Sequence, residues 1–269
     1  MTTISTGGFS NYDDSFAHFP ISTEYLCVFF MIASSLPFIR YVQLTSGNFK
    51  ATFFDSQVRA FLIIIISITV ILFSWLMFQQ THSIEYALRK TLFNGVSILT
   101  GTGYSSDNYM LWGSFPISIF FVIGLIGGCA GSTTCSIKVF RFQILFSAIG
   151  SQIKQMHFPS AVVATRYEGK RVSVDIVSSV IAFFILFFAS LFLIALALSA
   201  TGLDFVTAIS GAVSTLANIG PGLGERIGPI GNYAELNNVA KLILIFSMFV
   251  GRLELMVVYV LFTLTFWRG

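Results

Sequence analysis

The run from Ala60 to Phe78 constrains this chain most: it carries no charged residue and ends in Gln79-Gln80. As a helix rising about 1.5 Å per residue, it reaches across a hydrocarbon layer of roughly 30 Å. Ile176 to Ala200 is a second such run and the most hydrophobic in the chain. Composition agrees, with 55% hydrophobic and 10% charged residues and a mean hydropathy of +0.83. A soluble domain carries about 25% charged residues. The expected fold class is therefore an all-α polytopic membrane protein.

Three further apolar stretches read as spans. Tyr25 to Ile39, extended outward by Phe19 to Thr23, closes at Arg40. Asn108 to Ile137 is uncharged, yet its middle reads Gly127-Gly-Cys-Ala-Gly-Ser-Thr-Thr-Cys135, which predicts a broken helix. Leu242 to Trp267 is the last, interrupted by Gly251-Arg-Leu-Glu254. Ile84 to Thr100 and Phe205 to Ala217 are too short or too polar to cross and end in polar glycine runs. Their length suits re-entrant helices, and non-helical backbone at membrane depth is tolerated only inside protein or along a water-filled cavity.

Charge is one-sided in this layout. Arg40, Lys50, Arg59, Lys138, Arg141, Lys154, Arg166, Lys170, Arg171 and Arg268 share one face with Asp55, Glu168 and Asp175. The positive-inside rule makes that face, and the C-terminus, cytoplasmic. Asp13, Asp14, Glu24, Glu85, Asp107, Asp204, Glu225 and Glu235 collect opposite, where they would concentrate cations at an outer mouth. The net charge of +3 is dispersed, which excludes a basic nucleic-acid surface. Cys27, Cys129 and Cys135 form no CxxC pair, and His18, His82 and His157 stand alone, so neither a disulfide framework nor a zinc site is expected. The start, Met1 to Ser10, lacks the basic and apolar regions of a signal peptide.

Superposing Thr3-Ile-Ser-Thr-Gly-Gly-Phe9, Ile98-Leu-Thr-Gly-Thr-Gly-Tyr104 and Thr215-Leu-Ala-Asn-Ile-Gly-Pro221 brings Gly8, Gly103 and Gly220 into register. The unit implied is span, re-entrant pore helix, filter strand, span, repeated around a central ion pore. Glycine lets such a backbone turn carbonyl oxygens inward without a Cβ clash. Carbonyl rings can replace the water around an alkali cation, and helix C-termini add partial negative charge.

These residues resemble the membrane subunits of Trk/Ktr-type potassium transporters, the TrkH type most closely. The resemblance rests on Ser5-Thr-Gly-Gly-Phe-Ser10, Thr100-Gly-Thr-Gly-Tyr104 and Asn218-Ile-Gly-Pro-Gly-Leu-Gly224, together with Gly127-Gly-Cys-Ala-Gly-Ser132 and Gly251-Arg-Leu-Glu254. It implies potassium uptake through a channel-like pore in a bacterial inner membrane. The ion-binding filter would be Ile4, Ser5, Thr6, Gly7 and Gly8; Leu99, Thr100, Gly101, Thr102 and Gly103; and Ala217, Asn218, Ile219 and Gly220. The gate would comprise Gly127, Gly128, Gly131, Ser132, Lys138 and Arg252. Potassium is then the substrate, with no cofactor held by the chain. The implied partners are a second copy in a homodimer, membrane lipid and a cytoplasmic nucleotide-binding ring of the Trk A or Ktr A type, which would meet the 152–175 face.

The family carries four filter repeats in one chain, whereas this sequence opens at the second filter, so it is expected to be a truncated or split piece lacking an N-terminal repeat. On that scheme 1–50 is the second filter and its span, 51–150 the third repeat, 151–171 a cytoplasmic loop and 172–269 the fourth repeat. Several alternatives remain at this level. A single glycine per strand leaves a sodium-permeable or poorly selective transporter open, as is a non-conducting subunit. Gly127, Gly128 and Gly131 could instead make a small-xxx-small helix contact, and Arg252 could belong to a structural ion pair. A membrane enzyme would need converging titratable groups, which Thr, Ser, Gly and Asn do not supply.

Overall fold

The computed structural model describes every residue except 13, 48–54, 80–82, 161–162, 254 and 269. Asp13, Lys50, Gln80, His82 and Glu254 therefore lie outside the described residues.

Among the described residues two helices are long and apolar enough to cross a membrane. We label the helices in chain order: α1 (Ile21–Ser34), α2 (Phe38–Thr45), α3 (Ser56–Phe78), α4 (Ile84–Leu99), α5 (Ser114–Gly124), α6 (Val139–His157), α7 (Val174–Ala200), α8 (Phe205–Leu216), α9 (Asn238–Arg252), α10 (Leu255–Leu261) and α11 (Leu264–Arg268). The two crossing helices are α3 and α7. Asp55 fixes the start of α3, one carboxylate oxygen accepting from the Gln57 and Val58 N–H groups at 2.7 and 3.2 Å. Its other oxygen is held by Arg40. An acid cap of this kind stabilises a helix start by about 1 kcal/mol. Ser173 opens α7 similarly, accepting from the Ile176 N–H.

The order long helix, short helix, glycine run, further helix occurs twice. The short α4 lies between α3 and α1, and the short α8 between α7 and α9. Both have the expected extents, and most of their side chains from the middle onward are buried.

Three expected spans are not single helices. The first stretch bends by 92° between α1 and α2. Pro37 lies at the break; it lacks an N–H and drives the residue before it out of the helical region. Leu242 to Trp267 is likewise split, α9 and α10 meeting at 108°. Arg252 thus ends α9 instead of sitting mid-helix. Asn108 to Ile137 comprises a 3-10 turn (Tyr109–Trp112), α5 and then irregular chain as far as Lys138.

The segment 151–171, expected as a loop, begins with the last turns of α6 and ends in a hairpin. Its strands, β1 (Arg166–Tyr167) and β2 (Lys170–Arg171), pair antiparallel across Glu168 and Gly169, both at positive φ. Ser56 donates to the Glu168 carboxylate at 2.9 Å and so ties this hairpin to the start of α3.

Candidate ion-binding site

Each glycine run is built to one backbone plan. The N–H just before the glycine bonds to the carbonyl six residues before it: Gly7 to Thr2 at 2.8 Å, Thr102 to Ser97 at 3.0 Å, and Ile219 to Ser214 at 2.8 Å. Two alternate residues then take positive φ. They are Thr6 and Gly8 (49° and 64°), Gly101 and Gly103 (67° and 80°), and Asn218 and Gly220 (54° and 113°). Asn tolerates that region, but a β-branched Thr does so only under constraint. Thr6 is constrained, its hydroxyl contacting the Ser5 and Thr133 carbonyls at 2.8 and 3.0 Å. The runs are therefore not β-strands, as the word filter strand would imply; the positive φ values interrupt any extended pleat.

The runs interlock in one rotational sense. A Cβ on Gly8 would stand 1.9 Å from the Thr102 carbonyl oxygen, and one on Gly103 would stand 1.8 Å from that of Ile219. At these two positions close approach makes glycine obligatory. The runs meet around a cavity of about 500 Å³. Of the candidate filter residues, Ser5, Thr6, Gly7, Gly8, Thr102, Gly103, Asn218, Ile219 and Gly220 line it. Ile4, Leu99, Thr100, Gly101 and Ala217 do not. Leu99 is the last residue of α4, Thr100 and Ala217 follow the ends of α4 and α8, and Ile4 offers its carbonyl to the Thr133 hydroxyl. Both short helices thus end two to three residues before the first lining residues of their runs, Thr102 and Asn218, and leave the partial negative charge of their C-termini on that side.

Phe9 and Met248 also line the cavity, as does Arg252. Arg252 is brought there by Gly251: a Cβ on that glycine would fall 2.0 Å from the Leu216 carbonyl, so α9 touches the end of α8 backbone to backbone. The Arg252 guanidinium donates to Cys135 Sγ at 3.0 Å and makes no ion pair with a described residue. Arg252, Cys135 and Lys138 also line a second cavity of about 50 Å³. Cys135 thus has a cationic partner, a contact its sequence position gives no sign of.

The stretch Leu125–Lys138 is a compact loop. Gly127 N–H bonds to Ile137 O at 2.9 Å and Val139 N–H to Gly128 O at 3.1 Å. Gly127 and Gly128 are buried against the loop's own Cys135 and Thr134, whereas Gly131, at φ 75°, has open space. Ser132 donates to Cys129 O. The glycines therefore serve loop closure, and no helix-on-helix contact of the small-xxx-small kind forms. The loop is also anchored to the first span: Cys129 and Thr133 N–H groups bond to Ser35 and Ser34 carbonyls at the α1–α2 bend. The Thr6 and Thr133 hydroxyls join the loop to the first glycine run.

The outer acids divide: Asp14, Glu85, Glu225 and Glu235 are exposed, whereas Glu24, Asp107 and Asp204 each hold protein groups. Glu24 is buried, and one of its oxygens accepts from Arg89 and from Lys90, both at 2.8 Å. Lys90 also donates to Ser106 O, and Asn94 exchanges bonds with Ser106, so this cluster clamps the chain just after the second run. Arg89 reaches Glu85 too. Asp107 accepts from Tyr86 and Trp112, and Asp204 caps α8. Among the described residues no group of His, Cys, Asp or Glu could hold a metal ion.

An all-α multipass membrane protein, with two short helices and three glycine runs meeting on one cavity, is the class these features define. The chain belongs to the TrkH family of cation transport proteins, whose sequence profile it matches over residues 1–267. It is 40% identical over its whole length to the Trk system potassium uptake protein TrkI of Halomonas elongata, covering 55% of that protein. To the TrkH of Escherichia coli K12 it is 33% identical, covering 56%. It superposes on the crystal structure of the potassium transporter TrkH from Vibrio parahaemolyticus with a TM-score of 0.92 and 32% identity, over 99% of this chain and 57% of that one. The chain spans about half the length of the curated relatives it matches. Family membership sets it among transport proteins and not among enzymes.

Proposed function

We propose that this chain supplies three of the carbonyl-bearing runs of a potassium uptake path, with potassium as the transported substrate. The observation that carries the reading is the interlock of Gly8, Gly103 and their neighbours' carbonyls around the 500 Å³ cavity. The carbonyls of Gly8 and Gly103 accept no hydrogen bond from the described residues. At membrane depth an unmet carbonyl needs a ligand, and a dehydrated cation is one. The names of the relatives, potassium uptake proteins and a potassium transporter, support potassium as that ion.

On this reading the filter comprises the cavity-lining residues of the three runs, and the repeats fall at 1–50, 51–150 and 172–269. Arg252, Lys138 and the Gly127–Ser132 loop form the gate beneath. Arg252 acts by its charge, which opposes a cation in the cavity it lines. The protein resides in a bacterial inner membrane with its C-terminus cytoplasmic. It works as a homodimer completed by the remaining repeat, and a Trk A or Ktr A type ring docks on the face bearing the β1–β2 hairpin.

The test is potassium influx into uptake-deficient cells expressing the chain, with membrane levels checked and Gly103→Asp as the comparison. Influx that Gly103→Asp removes is the expected result. A preference for potassium over sodium unaltered by that substitution would overturn the filter assignment, and equal flux of both ions would favour a sodium-permeable path.

A further inference from the structure

The three runs share a backbone plan but differ in which carbonyl is tied down. A hydroxyl six residues before each glycine reaches over its run. Thr2 donates to Phe9 O at 3.2 Å and Ser97 to Tyr104 O at 2.7 Å, so in the first two runs the tie falls one residue past the glycine. In the third, Ser214 donates to the glycine's own carbonyl, Gly220 O, at 2.7 Å. Tyr233 OH donates to the same oxygen at 2.6 Å. A carbonyl has two lone pairs, and both are occupied.

The equivalent oxygens of Gly8 and Gly103 accept nothing from the described residues. Gly220 also departs in backbone, at φ 113° against 64° and 80°. Its successor is Pro221, whose Cδ would stand 3.0 Å from a Cβ on Gly103, so the third run packs directly on the second here. Tyr233 reaches the run from a 3-10 turn (Tyr233–Glu235) in the long connection from α8 to α9.

We propose that Tyr233, acting with Ser214, is a selectivity-determining positioning residue: it holds the Gly220 carbonyl out of the ion path and leaves the glycine ring one oxygen short. This rests on the potassium-path reading above. Larger cations take more oxygen ligands than smaller ones of equal charge, and the number of carbonyl dipoles is one determinant of potassium over sodium preference. A ring short of one oxygen discriminates less sharply than a full one. The intact hydroxyls therefore set a lower preference than the backbone could otherwise reach.

The experiment is potassium-against-sodium flux competition in uptake-deficient cells for the parent chain, Tyr233→Phe and the Ser214→Ala/Tyr233→Phe double variant, with membrane levels measured. Freed of both donors, Gly220 O can turn inward, and the flux ratio rises in favour of potassium by about threefold or more in the double variant, with a smaller rise in Tyr233→Phe. Ser105→Ala is the comparison: it cuts the 2.8 Å bond from Ser105 to Pro229 O in the same outer loops but touches no glycine carbonyl, so its ratio stays at the parent value. A ratio that is unchanged or falls, or a loss of total uptake without a change of ratio, overturns the proposal. If the double variant does not reach the membrane, Tyr233→Phe alone decides on the same criterion. A parent flux insensitive to Gly103→Asp would instead overturn the potassium-path reading and this inference with it; a Gly103-dependent flux with a fixed ratio overturns only the inference.

Discussion

Glu24→Gln is the substitution whose cost the structure defines best. The side chains of Glu24, Arg89 and Lys90 are 3%, 8% and 8% exposed, and the fourth member, Glu85, is 53% exposed. Two acids and two bases make the cluster formally neutral; the amide leaves it at +1. Breaking a buried ion pair by removing one partner costs about 3 to 5 kcal/mol, because the surviving charge stays buried. The lower end applies here, since Arg89 keeps Glu85 and Lys90 keeps the Ser106 carbonyl. About 3 kcal/mol is a factor of roughly 100 in the folding equilibrium. The assay is the fraction of detergent-solubilised protein that stays monodisperse across a temperature series. Glu24→Gln should melt well below the parent, and adding Lys90→Met should recover much of the loss, because the unpaired cation goes too. A Glu24→Gln protein within about 0.5 kcal/mol of the parent, or strictly additive single effects, would refute the reasoning.

Three other outcomes follow from particular contacts. Gly251→Ala puts a methyl 2.0 Å from Leu216 O; the displaced α9 should cost about 1 to 3 kcal/mol in the same heating assay and lower uptake. Arg252→Ala should raise basal potassium flux, and loss of the protein from the membrane instead would mark Arg252 as a structural residue. Hydrogen bonds from Thr207 hold the Asp204 carboxyl below the usual carboxylate range. Its stabilisation is therefore complete above the ordinary carboxylate pKa and is lost as pH falls through the lowered one. Asp204→Ala should cost about 1 kcal/mol at pH 7, and the gap from the parent should close in acid, as a pH series of melting curves would show.

Apolar length and glycine register made much of the fold legible in the sequence. α3, α4, α7 and α8 lie within a few residues of the expected segments, and Gly8, Gly103 and Gly220 all take positive φ, Gly220 with the widest value. The bend after α1 was also within reach, since Pro37 stands inside the run read as one span. The shared hydroxyls Thr2, Ser97 and Ser214 escaped for a narrower reason: the superposed windows began one residue too late to include them. The Glu24 cluster was not legible. Its members are 65 and 66 residues apart, and an acid near a helix end looks the same in sequence whether it faces water or a buried cation. Nor does any local pattern give the meeting of Arg252 with Cys135, 117 residues away.

The interlock of the runs also has a consequence in time. Thr2 is tied to the Tyr104 hydroxyl, 102 residues later, and Gly103 rests on a carbonyl of Ile219, later still. At a synthesis rate of about 5 to 20 residues per second, the first run waits roughly 5 to 20 s for its neighbour to emerge. The contacts that fix the first two runs therefore close only after Tyr104 and then Ile219 have been made, so the earliest part of the chain is the last to be locked in place.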